Sequence, residues 1–167
     1  MRNGAHCITG GFNEDHVPSS PTRYNLDNGD YRKNMRITYI ELINTGNENG
    51  QLDSGNANIY VQIGLSAAGA TPVSTSVAGV TDAFGLDLTN SGAIGWGLLD
   101  AQGQTKFILD PDHIVPEDLF INAWTLSTGG GLATLLSPIG YLIHMEQVTS
   151  SGDVALLQTV KQRTLRS

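Results

Sequence analysis

Ile59-Tyr60-Val61-Gln62-Ile63-Gly64-Leu65-Ser66 alternates apolar residues with polar or small ones, and this period of two sets the reading of the whole chain. Successive side chains of a strand point to opposite faces. Ile59, Val61, Ile63 and Leu65 must therefore line one core, with Gln62 on the other face of a half-buried strand. Upstream, Met35, Ile37, Tyr39 and Ile43 alternate with Arg36, Thr38 and Asn44, while Ile40 and Leu42 make both faces partly apolar. Residues 44–58 form a long polar loop between these two strands. Downstream, residues 67–80 are small and uncharged and read as an extended loop or an edge strand.

Further strands follow at spacings typical of an all-β fold. Ile94, Trp96 and Leu98 alternate, and Phe107 and Leu109 resume beyond Asp100-Ala101-Gln102-Gly103, a hairpin turn in which glycine supplies a positive φ. Leu119, Ile121 and Ala123 alternate with Phe120, Asn122 and Trp124; Tyr141, Ile143 and Met145 alternate with Leu142, His144 and Glu146. About seven strands joined by glycine-rich turns predict an all-β fold, a β-sandwich with the single jelly roll as its leading variant.

The two ends differ from this body. Residues 1–34 carry Gly4, Gly10, Gly11, Pro18, Pro21 and Asn28-Gly29 without sustained periodicity, and read as an irregular N-terminal arm, with a short strand open near Ala5–Thr9. The sandwich is expected over 35–149. Residues 150–167 end the chain with a helix over 152–164 and a basic tail. Ser150-x-x-Asp153 resembles a capping box, and Val154, Leu157, Val160 and Lys161 follow at helical spacing.

Charged residues are only 15% of the chain, against about 25% in typical domains, so either the core is large or neighbours cover part of the surface. The net charge is −7, segregated as +1 over residues 1–36, −11 over 37–160 and +3 over 161–167. An acidic body argues against nucleic-acid binding by the sandwich and leaves only the termini for that role. Cys7 is the sole cysteine, so no intrachain disulfide forms. The first residues lack the apolar region of a signal peptide, and the 25 uncharged positions from Leu119 to Ile143 are broken by Gly129-Gly130-Gly131 and Pro138. A strand pair with a glycine loop, not a membrane span, is expected there, in a soluble protein.

No pattern of residues specifies an enzyme or a cofactor. Asp110, Asp112 and His113 could bind a divalent cation by residue type, but their spacing fits no EF-hand, zinc or facial-triad pattern and suits turn chemistry. His6, Cys7 and His16 lack the second His/Cys pair of a zinc site. Glu117-Asp118 and Glu146 form no specific carboxylate pair for glycoside hydrolysis. Trp96, Trp124 and Tyr60 could stack on a sugar, although strand alternation favours packing. No catalytic, metal or cofactor-binding residues are therefore assigned.

An arm followed by strand patterns at 35–44, 59–66, 94–109 and 119–146 resembles the small single jelly-roll viral capsid proteins in its arrangement of parts. The resemblance implies a structural protein of the virion without a cofactor, assembled from copies of itself, with other coat proteins as further partners. The first 36 residues net only +1, unlike the strongly basic arms that touch genomes, and the acidic body suits a layer over another shell or a decoration role. Arg32, Lys33 and Arg36, with Lys161, Arg163 and Arg166, are the basic clusters expected to meet the acidic surface of another subunit. A carbohydrate-binding, lectin-like sandwich is the alternative.

Overall fold

Ile59, Val61 and Ile63 share one fully buried face, as their alternation requires, and Leu65 joins the same core just beyond the strand. The other face of that strand is buried as well. Tyr60 and Gln62 are both inaccessible, so the half-buried expectation is corrected: Gln62 lies inside, its amide donating to the Gly69 carbonyl at 2.7 Å.

The computed structural model describes residues 5–27, 29–45, 58–72, 92–127 and 131–166, with only the backbone of Arg166. Along them run β1 (Ala5–Phe12), β2 (Thr22–Asn25), β3 (Lys33–Asn44), β4 (Asn58–Gly64), α1 (Ala67–Ala70), β5 (Ala93–Asp100), β6 (Thr105–Leu109), β7 (Asp118–Leu126), β8 (Leu132–Ala133), β9 (Ile139–Thr149) and α2 (Gly152–Arg166). Two antiparallel sheets face each other, one ordered β1-β9-β3 and the other β2-β7-β4-β5-β6, with β8 paired to β7. The core between them joins Phe12, Ile37, Ile40 and Ile143 of the small sheet to Val61, Ile63, Ile121 and Ala123 of the large one. The fold is an all-β sandwich closed by a short C-terminal helix.

Apart from β8, the first strand pairs with the last (β1 with β9), the second with the next to last (β2 with β7), and the middle two with each other (β4 with β5). The remaining two, β3 and β6, approach where the Thr105 hydroxyl donates to the Leu42 carbonyl at 3.2 Å, although the ladder of β6 is with β5.

The arm expected over 1–34 is corrected by the structure. β1 pairs with β9 over eight residues, β2 pairs with β7 over four, and Phe12 is only 3% exposed. Gly10, which reads as a strand breaker, is required here. The Tyr24 and Tyr141 hydroxyls, 2.5 Å apart, lie so close to its backbone that any Cβ would strike them. Burial first, then the bond to Tyr24, push the Tyr141 phenol far above its ordinary pKa, so it stays neutral.

The mixed pattern of β3 also has a structural cause. Its register against β9 shifts between Ile37 and Tyr39, a bulge that changes which side chains face inward. Met35 and Ile37 are buried before it, Ile40 and Leu42 after it, leaving Tyr39 and Ile43 exposed. The Asp100–Gly103 turn is present, with Gly103 at φ 79°. Residues 67–70 form one helical turn capped by Ser66, not the loop or strand expected there. The expectations for residues 46–57, 73–80 and 128–130 fall outside the described residues.

Two substitutions test this core. Phe12→Ala should cost about 3–5 kcal/mol, and Val61→Asp at least as much, because it buries an unpaired charge. Chemical denaturation reads both, and an unchanged midpoint for Phe12→Ala would mean that β1 is not part of the core.

Candidate functional site

Four large apolar residues of α2 face away from the body. Val154, Leu157 and Val160 have the spacing of a core-facing stripe, yet they are 47%, 70% and 53% exposed, and Leu156 is 59% exposed. The buried face is instead Ala155, Thr159 and Gln162, at i, i+4 and i+7.

The seat of the helix explains this orientation. Where β4 ends and β7 begins, the carbonyls of Leu65 and Asp118 and the N–H of Glu117 point toward α2. The Gln162 amide meets all three: Nε2 donates to Leu65 at 3.0 Å and to Asp118 at 2.6 Å, and Oε1 accepts from Glu117 at 2.9 Å. No apolar side chain could do so, and an unpaired buried polar group costs about 1–3 kcal/mol. The hydroxyl of Ser150 bonds Asn34 and Gln158, so the expected capping box is not formed; the first helical bond runs from Ala155 N–H to the Ser151 carbonyl.

Glu117 and Asp118 form a double clasp around this point. Arg163 of α2 donates to Glu117 Oε1 from Nε at 3.0 Å and from Nη2 at 2.6 Å. Arg23 of β2 grips Asp118 through two bonds of 3.0 and 3.1 Å. The bond and the charge of Glu117 raise the Arg163 pKa, although this guanidinium is solvent-exposed and its ion pair is correspondingly screened.

Several basic residues expected at a subunit interface therefore have partners within the chain. Arg163 binds Glu117, Lys33 pairs with Asp30 at 3.4 Å, and Arg36 donates to the Pro111 carbonyl at 2.6 Å. Arg32 lies 5.6 Å from the Tyr31 ring, which raises its pKa first through a side-chain hydrogen bond. Lys161 is exposed beside a small cavity that Asp110, Asp112 and Gln158 also line. The side chain of Arg166 is outside the described residues.

The other candidates are not assembled for chemistry. Both nitrogens of His113 are engaged, Nε2 accepting from Ile37 N–H at 2.9 Å and Nδ1 contacting the Asp110 carbonyl. The Asp110 carboxylate accepts from Asp112 N–H at 3.0 Å, a turn contact. His6 and Cys7 are adjacent strand residues on opposite faces of β1, whereas His16 bonds Asn122 at 2.9 Å. Among the described residues, no three His, Cys, Asp or Glu side chains form a metal-binding group. Glu146 lies on β9, on the small sheet, apart from the Glu117–Asp118 clasp on the large one. Tyr60 and Trp124 stack with centroids 6.5 Å apart but are buried, leaving neither ring open to a sugar; Trp96 is partly buried. Among the described residues, no helix is long and apolar enough to cross a membrane. No protein-family model matches the chain, and no curated protein matches it.

Gln162→Leu should destabilise the protein by about 2–3 kcal/mol and speed amide exchange in α2, because the seat loses its only three-point partner. Arg163→Ala, which removes an exposed pair, should cost about 0–1 kcal/mol. Equal effects of the two substitutions would contradict this ranking.

Proposed function

We propose that this chain is a structural subunit that assembles with copies of itself into a coat layer, through a sandwich of jelly-roll type. The observation that carries the reading is the strand pairing: first with last, second with next to last, and the central two together, with β3 and β6 touching. A jelly roll has this wrapping, and viral coat subunits are among its common uses. β6 departs from it by laddering with β5 alone.

The surface supports the same reading. β1 lies at the edge of the small sheet, and none of its eight residues is Lys, Arg, Asp, Glu or Pro, the usual protection of an exposed edge. The apolar stripe of α2 is also unburied within the subunit. The carbohydrate-binding alternative gains no support from Tyr60 and Trp124, which are buried. Fold alone does not assign function, so assembly itself must be measured.

Light scattering and negative-stain microscopy of the purified chain should reveal large, uniform particles; a monodisperse monomer at every accessible concentration would refute the reading. Neutralising Lys161, Arg163 and Arg166 together separates the roles of the tail. Poor assembly without nucleic acid would point to contacts between subunits, whereas normal but empty particles would assign the tail to a genome.

A further inference from the structure

We infer that β1 pairs antiparallel with β1 of a second copy of this chain, about a two-fold axis at Ile8, joining their small sheets into one. This deepens the assembly reading and rests on it. The hydrogen bonds of the small sheet show which backbone groups are free. The Ser150 N–H donates to the Arg32 carbonyl at 2.9 Å and the Thr45 N–H to the Pro138 carbonyl at 3.4 Å. With the register of β3, these bonds direct the even-numbered residues along β9 toward β3 on both sides of the bulge. Alternate residues of a central strand bond opposite neighbours, so the odd-numbered residues of β9 bond β1. Their register partners there are His6, Ile8, Gly10 and Phe12. The N–H and C=O groups of Ala5, Cys7, Thr9 and Gly11 therefore point out of the sheet edge, and all four residues are exposed.

The other sheet edges are guarded. On β3, Met35 exchanges backbone bonds of 3.0 and 2.8 Å with Val115, His113 caps the Ile37 N–H, Thr105 caps the Leu42 carbonyl, and the strand is bulged. β6 has five residues and carries Lys106; β2 has four and carries Arg23. Cover, bulges, charge and short length are the usual means by which an edge avoids a second strand. β1 has eight residues in continuous register, with no charge and no proline. Two copies that join edge to edge need an open edge on each. Among the described residues β1 is the one such edge, so its partner is β1 itself.

The free groups also select the register. A two-fold axis perpendicular to the sheet reverses strand direction and keeps the faces, as an antiparallel pair requires. Centred on Ile8, it sets Ala5 opposite Gly11 of the second copy and Cys7 opposite Thr9, so each free residue meets another. Centred on Cys7 or Thr9, it leaves Gly11 or Ala5 without a partner within β1.

Thr9→Pro tests the pair without breaking the subunit. It removes an N–H that faces the edge and spares the ladder with β9, as proline permits on an edge strand. Sedimentation should show self-association weakened at least about tenfold, with the melting temperature of the dissociated subunit unchanged; Thr9→Lys should act in the same way. Under oxidised glutathione, Thr9→Cys should form a disulfide dimer, because Cys7 of one copy lies about 5.5 Å, Cα to Cα, from position 9 of the other. Ala5→Cys, placed opposite Gly11, should not. Assembly that both Thr9 variants leave unimpaired, with no crosslink, would overturn the strand pair but leave the assembly reading standing. A wild-type chain that is monomeric throughout would overturn both. Particles in which the Cys7 and Thr9 amides are protected from exchange, but which give no Thr9→Cys crosslink, would also overturn the pair by assigning the edge to a different strand.

Discussion

The carboxylate of Asp118 is 1% exposed at the first position of β7, where Arg23 binds it through two parallel bonds. The same residue sits at a junction. Its backbone carbonyl accepts the Gln162 amide, its neighbour Glu117 holds Arg163, and its strand continues through seven further buried residues between β2 and β4. One short stretch therefore ties β2, the centre of the large sheet and the C-terminal helix together. Replacing one partner would leave a buried charge or a buried carbonyl exposed to an apolar surrounding, which costs more than the pair itself contributes.

Much of this architecture was legible because burial leaves a period in the sequence. The alternation in β4, β7 and β9 placed their core faces correctly, and Gly103 marked a real turn. β3 was legible only in part. Its two apolar faces register a bulge, and a pattern alone cannot distinguish a bulged strand from one buried on both sides. β1 was legible only as a short strand open near Ala5–Thr9, and its continuation to Phe12 was hidden for a different reason. Gly10 reads as a breaker, yet it is glycine because two tyrosine hydroxyls crowd its backbone, a constraint set by residues more than 100 positions away in the case of Tyr141.

Hydrophobicity alone points to the wrong face of α2 as the buried one. Two stripes run along α2 at helical spacing, and Val154, Leu157 and Val160 are the more apolar one. Fully burying a Val or Leu side chain is worth about 1.5–3 kcal/mol, and leaving a buried backbone group unpaired costs about 1–3 kcal/mol. These terms are close enough that hydrophobicity cannot decide the outcome by itself. The seat presents three such groups at one point, and Gln162 alone can satisfy them together. A single glutamine carries no sequence signal for this role, since its partners lie 44 to 97 residues away.

An inverted helix has a consequence for association. The subunit forgoes the burial of four apolar side chains in order to satisfy its own backbone, and that unburied area is still available to a neighbour. A stripe this small cannot hold two subunits firmly by itself, because ordering and orientation costs must be met before any surplus appears as affinity. The balance changes when each subunit offers several weak surfaces, such as α2 and the uncharged β1 edge, to different neighbours. The first contact then raises the effective concentration for the next, so contacts too weak to stabilise a pair can stabilise a closed layer. Weak individual contacts also dissociate readily, which lets misplaced subunits leave before the layer closes. On the assembly proposal, the weakness of the α2 stripe is what such a subunit would require, and a stronger patch would favour irregular aggregates over a uniform shell.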